Sequence, residues 1–314
     1  MAENNNEPYL IITAGNTGSG KTSLILETLQ YIGIDNEPYV KILVDDLVEN
    51  DSKYKAMVIA IINKISELSL LENRPEEYYY NNPSTELYKS FSDAYFNTRN
   101  EFGCLGSELN CNDLNMKNLT DAVKSRHNII FEFTGQYIPA WLLSTDILGS
   151  SYNIVFSCSV VTIENLFFRN TSRAIKSVNM FKQDYTNNPA PRLPNVSKPE
   201  LTKNVKNFRS ILSRLYTFCI LSHSEQVCGN RKINKLLVFD NNGERMRLIF
   251  DSNISSQTDF ELINSSFGIL EDSPSRRKKS PVKRKKKKSP VKRRKKSPVK
   301  RKKKKSPVKR KIKV

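Results

Sequence analysis

The stretch Tyr9-Leu10-Ile11-Ile12-Thr13-Ala14-Gly15-Asn16-Thr17-Gly18-Ser19-Gly20-Lys21-Thr22 decides the fold. Its first six residues form an apolar run that ends at a glycine, which predicts a buried strand. The remaining eight match G-x-x-x-x-G-K-[ST] in full, and Ser23–Ile32 continue as a helix, the strand–loop–helix setting that the motif requires. Three of the chain's eleven glycines fall between Gly15 and Gly20. Glycines let the backbone close around an anion so that successive N–H groups face phosphate oxygens. The helix start adds partial positive charge. Gly15, Asn16, Thr17, Gly18, Ser19, Gly20, Lys21, Thr22 and Ser23 are therefore expected to hold a nucleoside triphosphate. Lys21 would bridge the β- and γ-phosphates, and the Thr22 hydroxyl would ligate Mg²⁺. No base-reading motif separates ATP from GTP.

Outward from this loop, strands and helices alternate. Tyr39–Val44 reads as a second strand ending at Asp45 and Asp46. Tyr54, Met57, Val58, Ile61, Ile62, Ile65 and Leu68 make one apolar helical stripe. Ser84–Asn100 and Asp113–Arg126 read as weaker helices. Asn128–Phe133 is a third strand carrying Glu132, followed by Thr134 and Gly135, and Tyr152–Ser157 is a fourth. Thr162–Met180 reads as helix, broken by the Pro-rich stretch Thr186–Glu200, which could serve as a lid. Leu201–Cys219 gives another stripe. Lys235–Phe239 and Met246–Phe250 flank Asn241-Asn242-Gly243, a hairpin turn. This order predicts an α/β fold: a three-layer, mainly parallel sheet with helices on both faces, of the P-loop nucleotide hydrolase and kinase kind. Ligands in such sheets sit beyond the carboxyl ends of the strands.

The polar residues at those ends are the candidates for chemistry. A carboxylate at Asp45 or Asp46 could take the proton of an acceptor hydroxyl as its oxygen approaches the γ-phosphate; the bland alternative is that one of them caps the helix near Asp51–Tyr54. Glu132 lies inside an apolar strand, where an unpartnered carboxylate is costly, and could contact substrate or metal-bound water. Arg169, Arg173 and Arg192 could neutralise the charge of a transferring phosphoryl group.

Several of these stretches resemble the zeta-toxin-like branch of P-loop kinases, relatives of chloramphenicol phosphotransferase, whose bacterial members phosphorylate sugar nucleotides. Gly18–Leu24 reads GSGKTSL as in that family. Val44-Asp45-Asp46 stands where the family's strand-end aspartates stand, which implies Asp46 as the base and Asp45 as a substrate contact. Glu132-Phe133-Thr134-Gly135 is similar to the family's Glu-Gly-Thr and implies Glu132 and Thr134 in substrate or metal contact. The family's paired arginines would fall on Arg169 or Arg173 and on Arg192, and the final hairpin resembles its closing strands. The departures are Phe133, where the family has a small residue, and about 70–119, which is longer and reads as an inserted helical subdomain enclosing a different acceptor. The resemblance implies a nucleotide- and Mg-dependent phosphotransferase acting on an unidentified hydroxyl.

Charge divides the chain. Its 314 residues carry 51 Lys+Arg and 32 Asp+Glu, but Ser273–Val314 holds 25 of the basic groups and no acidic one. Residues 1–272 are thus mildly acidic and 273–314 form a polycation. Ser-Pro-Val-Lys recurs at Ser280, Ser289, Ser297 and Ser306, each followed by a basic block. Such a segment has nothing to bury and should be disordered. It should bind nucleic acid through phosphates, without sequence preference, or direct nuclear import. The repeats resemble histone-tail and sperm-type packaging motifs, and the Asn/Ile/Lys-rich body is similar to proteins of large DNA viruses. The competing readings are a packaging protein with a non-catalytic, nucleotide-regulated body, and a polynucleotide kinase. Five cysteines without Cys-x-x-Cys spacing and two histidines argue against a disulfide scaffold or zinc site. The polar N-terminus and short apolar runs argue against secretion and membrane insertion, so an intracellular, nuclear or virion location is expected.

Overall fold

A computed structural model describes residues 7–133, 140–143, 147, 152–193, 197–221 and 233–266. The expectations for Thr134 and for the basic tail lie outside the described residues. The chain divides into two units, Met1–Glu271 and Asp272–Val314, and every described residue belongs to the first.

Six strands form one sheet: β1 (Tyr9–Ala14), β2 (Tyr39–Ile42), β3 (Asn128–Phe133), β4 (Asn153–Val160), β5 (Lys235–Asp240) and β6 (Arg247–Asp251), in the spatial order β2-β3-β1-β4-β5-β6. All neighbours pair in parallel except β5 and β6, which are antiparallel. β1 is central, with Ile11 opposite Ile130 of β3 on one side and Val155 of β4 on the other. The strand order reverses at its carboxyl end, which is where ligands settle in open α/β sheets.

Period-two alternation sends successive β1 side chains to opposite faces. Leu10 and Ile12 join a core with Phe156, Phe208 and Leu212, beneath α6 (Cys111–Lys124) and α9 (Lys198–Arg214). Ile11 joins the opposite core with Leu24, Ile25 and Leu29 of α1 (Lys21–Ile32). The result is the three-layer α/β fold of P-loop proteins, with a mainly parallel sheet between helices.

A third core lies beside the sheet. It is built by α2 (Val44–Asn50), α3 (Ser52–Glu72), α4 (Glu76–Asn81), α5 (Thr85–Asn100) and α6, with α8 (Ile163–Gln183) closing it. Tyr54, Phe91 and Phe181 are fully buried there. The remaining helices are the short α7 (Ala140–Leu143) and the terminal α10 (Gln257–Ser266). No described helix is long and apolar enough to cross a membrane.

Several boundaries differ from expectation. β2 stops at Ile42, where its pairing with β3 ends, so Val44, Asp45 and Asp46 form the first turn of α2 rather than the tip of a strand. Carboxylates are favoured in that turn, where free N–H groups concentrate positive charge. α3 is capped by Asp51 itself, which accepts from Lys53 N at 2.8 Å and Leu105 N at 2.7 Å, so neither Asp45 nor Asp46 serves as that cap. The β5–β6 connection runs from Asn241 to Met246, longer than a two-residue hairpin.

The expectation against disulfides is corrected at one place, where Cys104 and Cys111 are bridged with Cα atoms 5.2 Å apart. The chain doubles back between them, with the amides of both Gly103 and Cys104 donating to the Leu109 carbonyl. Among the described residues this is one local staple, and Cys158 is free and buried.

Phe156 is fully buried in the middle of β4. Phe156→Ala should lower unfolding stability by about 3–5 kcal/mol through lost transfer energy and the cavity left behind. Urea denaturation checks this as a lower midpoint at an unchanged slope.

Candidate nucleotide and phosphoryl-transfer site

Gly15–Gly20 leaves β1 at the switch point and feeds α1. Gly18 and Gly20 adopt φ of +85° and +82°, which only glycine takes without strain. At Gly18 a Cβ would also lie 2.6 Å from the Asn170 side-chain oxygen. Three side chains outside the motif hold its carbonyls. Asn170 Nδ2 of α8 donates to Thr17 O at 3.0 Å, Asn241 Nδ2 donates to Ser19 O at 2.9 Å, and the Ser159 hydroxyl of β4 donates to the same oxygen at 2.7 Å. A trans peptide is planar, with its C=O and N–H directed oppositely. Fixing the Thr17 and Ser19 carbonyls outward therefore turns the Gly18 and Gly20 amides inward. Among the described residues, the amides of Gly18, Gly20, Lys21 and Thr22 have no backbone partner. This is a set of free donors at a helix start, and it suits a polyphosphate.

Lys21 stands at the mouth of this cradle. Its Nζ donates to Gly15 O at 3.1 Å and lies 3.4 Å from Glu132 Oε1, with the side chain 10% exposed. Burial lowers its pKa, and the charges of Glu132 and Asp45 work against that shift.

Beyond Lys21 is a second charged cluster. Arg192 Nη1 reaches Asp45 at 2.7 Å and its Nε reaches Glu49 at 2.6 Å, while the Tyr95 hydroxyl also donates to Asp45. Burial disfavours the Asp45 charge, yet Arg192, Tyr95 and Lys21 together keep its pKa below the ordinary carboxylate range. Asp46 is the opposite case: burial first, then the charges of Glu132 and Asp45, push its pKa up. Glu49 is also shifted up by burial, against the pull of Arg192. The two adjacent aspartates are thus driven apart, one held ionised by an arginine and the other inclined to keep a proton, the arrangement that separates an electrostatic role from a base.

Arg173 and Arg192 line one cleft and both act on Glu49, while Arg169 is engaged elsewhere. Arg169 Nη2 donates to Asn241 O at 2.7 Å and so braces the turn that holds Ser19. Arg173 lines a cleft beside Asn16 and Thr17. Arg192 alone is electrostatically coupled to Lys21. The part of the Pro-rich stretch from Thr186 to Pro191 is bonded to α2 and α3. Ala190 N donates to Glu49 O at 2.8 Å, the Tyr54 hydroxyl donates to Pro191 O at 2.9 Å, and Lys55 Nζ donates to Thr186 O at 2.6 Å.

Sequence reading missed Glu49, Tyr95, Asn170, Asn241 and Ser159. Glu49 carried a faint signal, since it lies four residues after Asp45 on one helix face. The others have no local signature and reach the site only by tertiary packing.

The residues present fit a magnesium nucleotide. The buried Ser19 hydroxyl lacks a partner, and the charge of Glu132 raises the cost of ionising Asp46, which a cation would relieve. Thr22 sits in the first turn of α1. Among the described residues no group of three or more His, Cys, Asp or Glu forms a metal site by itself. A metal here would therefore share its ligands with phosphate oxygens.

No family model and no curated protein matches the chain. Among solved structures it is similar to one from the molecular and structural characterization of the PezAT chromosomal toxin-antitoxin system of the human pathogen Streptococcus pneumoniae. The identity is 11% and the TM-score 0.45, over 83% of this chain and 78% of that one.

Asn170→Ala releases the Thr17 carbonyl of the cradle, and Asn241→Ala removes one of the two donors that hold the Ser19 carbonyl. Each should weaken Mg-nucleotide or pyrophosphate binding by roughly 10-fold, the worth of one well-placed hydrogen bond. Calorimetry with pyrophosphate checks this, alongside melting temperatures that show the sheet intact.

Proposed function

We propose that the chain is a nucleotide- and Mg-dependent phosphotransferase of the zeta-toxin-like kind. The observation that carries the reading is the grouping of Lys21, Asp45, Asp46 and Glu132 at the mouth of a cradle of free amides. The amides of Gly15–Thr22 and the Lys21 ammonium bind and orient the β- and γ-phosphates of ATP or GTP. Asp46 accepts the proton of the acceptor hydroxyl. That oxygen bonds to the γ-phosphorus as the bond to the β–γ bridging oxygen breaks, and a nucleoside diphosphate leaves with the electron pair. The Thr22 hydroxyl would hold magnesium, which would supply neutralisation of phosphate charge. Asp45 holds Arg192 beside Lys21, where the guanidinium stabilises the transferring group. Glu132 positions Lys21 and, with Thr134 as the sequence resemblance implies, serves acceptor contact.

The basic tail supports a second activity of the same chain. We infer that Ser273–Val314 binds DNA or RNA by neutralising phosphates and serves nuclear or virion targeting. Its 25 positive charges carry that reading. Each phosphorylated Ser-Pro would add about −1.5 to −2 charges and weaken the association.

Lys21→Ala should cut phosphoryl transfer at least ~100-fold while leaving the fold intact. Asp46→Asn should keep Mg-nucleotide binding and lose about 10²–10⁴-fold in turnover. Because the raised pKa of Asp46 means that the base is uncovered only as pH rises, kcat/KM should climb along an acid limb above the usual carboxylate range. That limb should vanish in Asp46→Asn; wild-type turnover in this variant removes Asp46 from the mechanism.

Deleting Ser273–Val314 should abolish binding to duplex DNA and leave nucleotide affinity unchanged. For the full chain, log K should fall steeply with log salt concentration, and a flat salt dependence would refute phosphate-driven binding.

A further inference from the structure

A cleft of about 350 Å³ opens beside Asn16 and Thr17, at the start of the phosphate cradle. Its floor is Glu49 and Arg192, and one wall is α5. Tyr88, Phe91, Tyr95 and Phe96 line that wall, at spacings of three, seven and eight residues from the first, which is one helix face. Phe96 is 52% exposed, and Met180 on the opposite wall is 44% exposed, so apolar surface meets water at the rim.

The charges in the cleft are unequal. Glu49 is paired with Arg192 at 2.6 Å, and Glu200 faces Lys203 at 3.8 Å. Among the described residues, no acidic group lies within ion-pair distance of Arg173, which also lines the cleft. An aromatic face, a guanidinium without a direct ion pair, on which Glu49 acts only at longer range, and the Arg192 that bonds Asp45 are thus brought together.

We propose that this cleft holds the phosphoryl acceptor, and that the acceptor is a compact hydroxylated molecule with one flat ring and one anionic group. The ring lies against the α5 aromatics, the anion pairs with Arg173, and a hydroxyl is presented past Arg192 toward Asp46, on which Arg192 acts electrostatically. The assignment rests on the phosphotransfer reading. The volume is at the low end of the roughly 300–1,000 Å³ of small-molecule pockets, which suits a single ring system. A polynucleotide end would need an open groove with several unpaired cations. Here one cation is unpaired, and two carboxylates line the walls. A nucleotide sugar would bring a second phosphate that meets no second free cation.

The test uses the full chain with a non-hydrolysable Mg-nucleotide and three probes followed by calorimetry. Cytidine 5′-monophosphate has ring and anion, cytidine has only the ring, and glucose 6-phosphate has only the anion. The monophosphate should bind about 10-fold tighter than either other probe, the worth of one arginine–phosphate pair or one stacked ring. Phe96→Ala, at a half-exposed position that the fold does not need, should bring the monophosphate down to the level of glucose 6-phosphate without changing nucleotide affinity. Arg173→Gln should bring it down to the level of cytidine. Equal binding of all three probes, preference for glucose 6-phosphate, tighter binding of a nucleotide sugar, or no monophosphate binding while the nucleotide binds would overturn the proposal. With labelled Mg-ATP in place of the analogue, monophosphate binding in this pattern without any γ-phosphate transfer would instead sink the phosphotransfer reading and leave the cleft as a binding site, so the two failures are distinguishable.

Discussion

The outward capture of the Thr17 and Ser19 carbonyls is the constraint on which the rest of the site depends. A glycine-rich loop has many conformations, and its ordering costs about 1–2 kcal/mol per residue. Asn170, Asn241 and Ser159 meet part of that cost from three elements, α8, the β5–β6 connection and β4. Because each peptide is planar, holding one end aims the other. The loop is organised before any anion arrives, and Arg169 supports the arrangement one step further out through the Asn241 carbonyl.

Charge within the site is arranged in two linked clusters. Lys21 is buried against Glu132, and Arg192 is half-buried between Asp45 and Glu49. Pairs withdrawn from water recover little net stability, but removing one partner leaves the other charge uncompensated. Their presence is better understood as fixing orientation than as adding stability. Arg192 ties the Pro-rich stretch to α2, and this attachment, reinforced by Tyr54 and Glu49, makes that stretch a wall of the cleft. The same attachment keeps Asp45 ionised and leaves Asp46 with its proton more firmly held.

The third hydrophobic core explains how the cleft exists at all. α3 and α5 pack through Tyr54, Val58, Phe91 and Tyr95, and α8 closes against them through Ala174, Val178 and Phe181. This block has its own interior, so α5 can present Tyr88 and Phe96 toward the cleft while Phe91 and Tyr95 remain anchored. The half-exposed aromatic rim is a consequence of packing a helix that is apolar around more than one face.

Sequence by itself determined the order of the strands and helices, the phosphate loop and the acidic position after β2. These are local properties: apolar period two or 3.6, glycine spacing and strand-end polarity are written in consecutive residues. β1, β3 and α5 consequently lie within a residue or so of where periodicity places them. Tertiary structure alone decided which distant residues brace the loop, which arginine approaches Lys21, that the Pro-rich stretch is bonded to α2 and α3 from Thr186 to Pro191, and that Cys104 meets Cys111. Asn170 and Asn241 are ordinary polar residues until β4, α8 and the β5–β6 connection bring them to the same two carbonyls. Such contacts depend on relative placement across more than a hundred residues, and no pattern within a helix or strand encodes that distance.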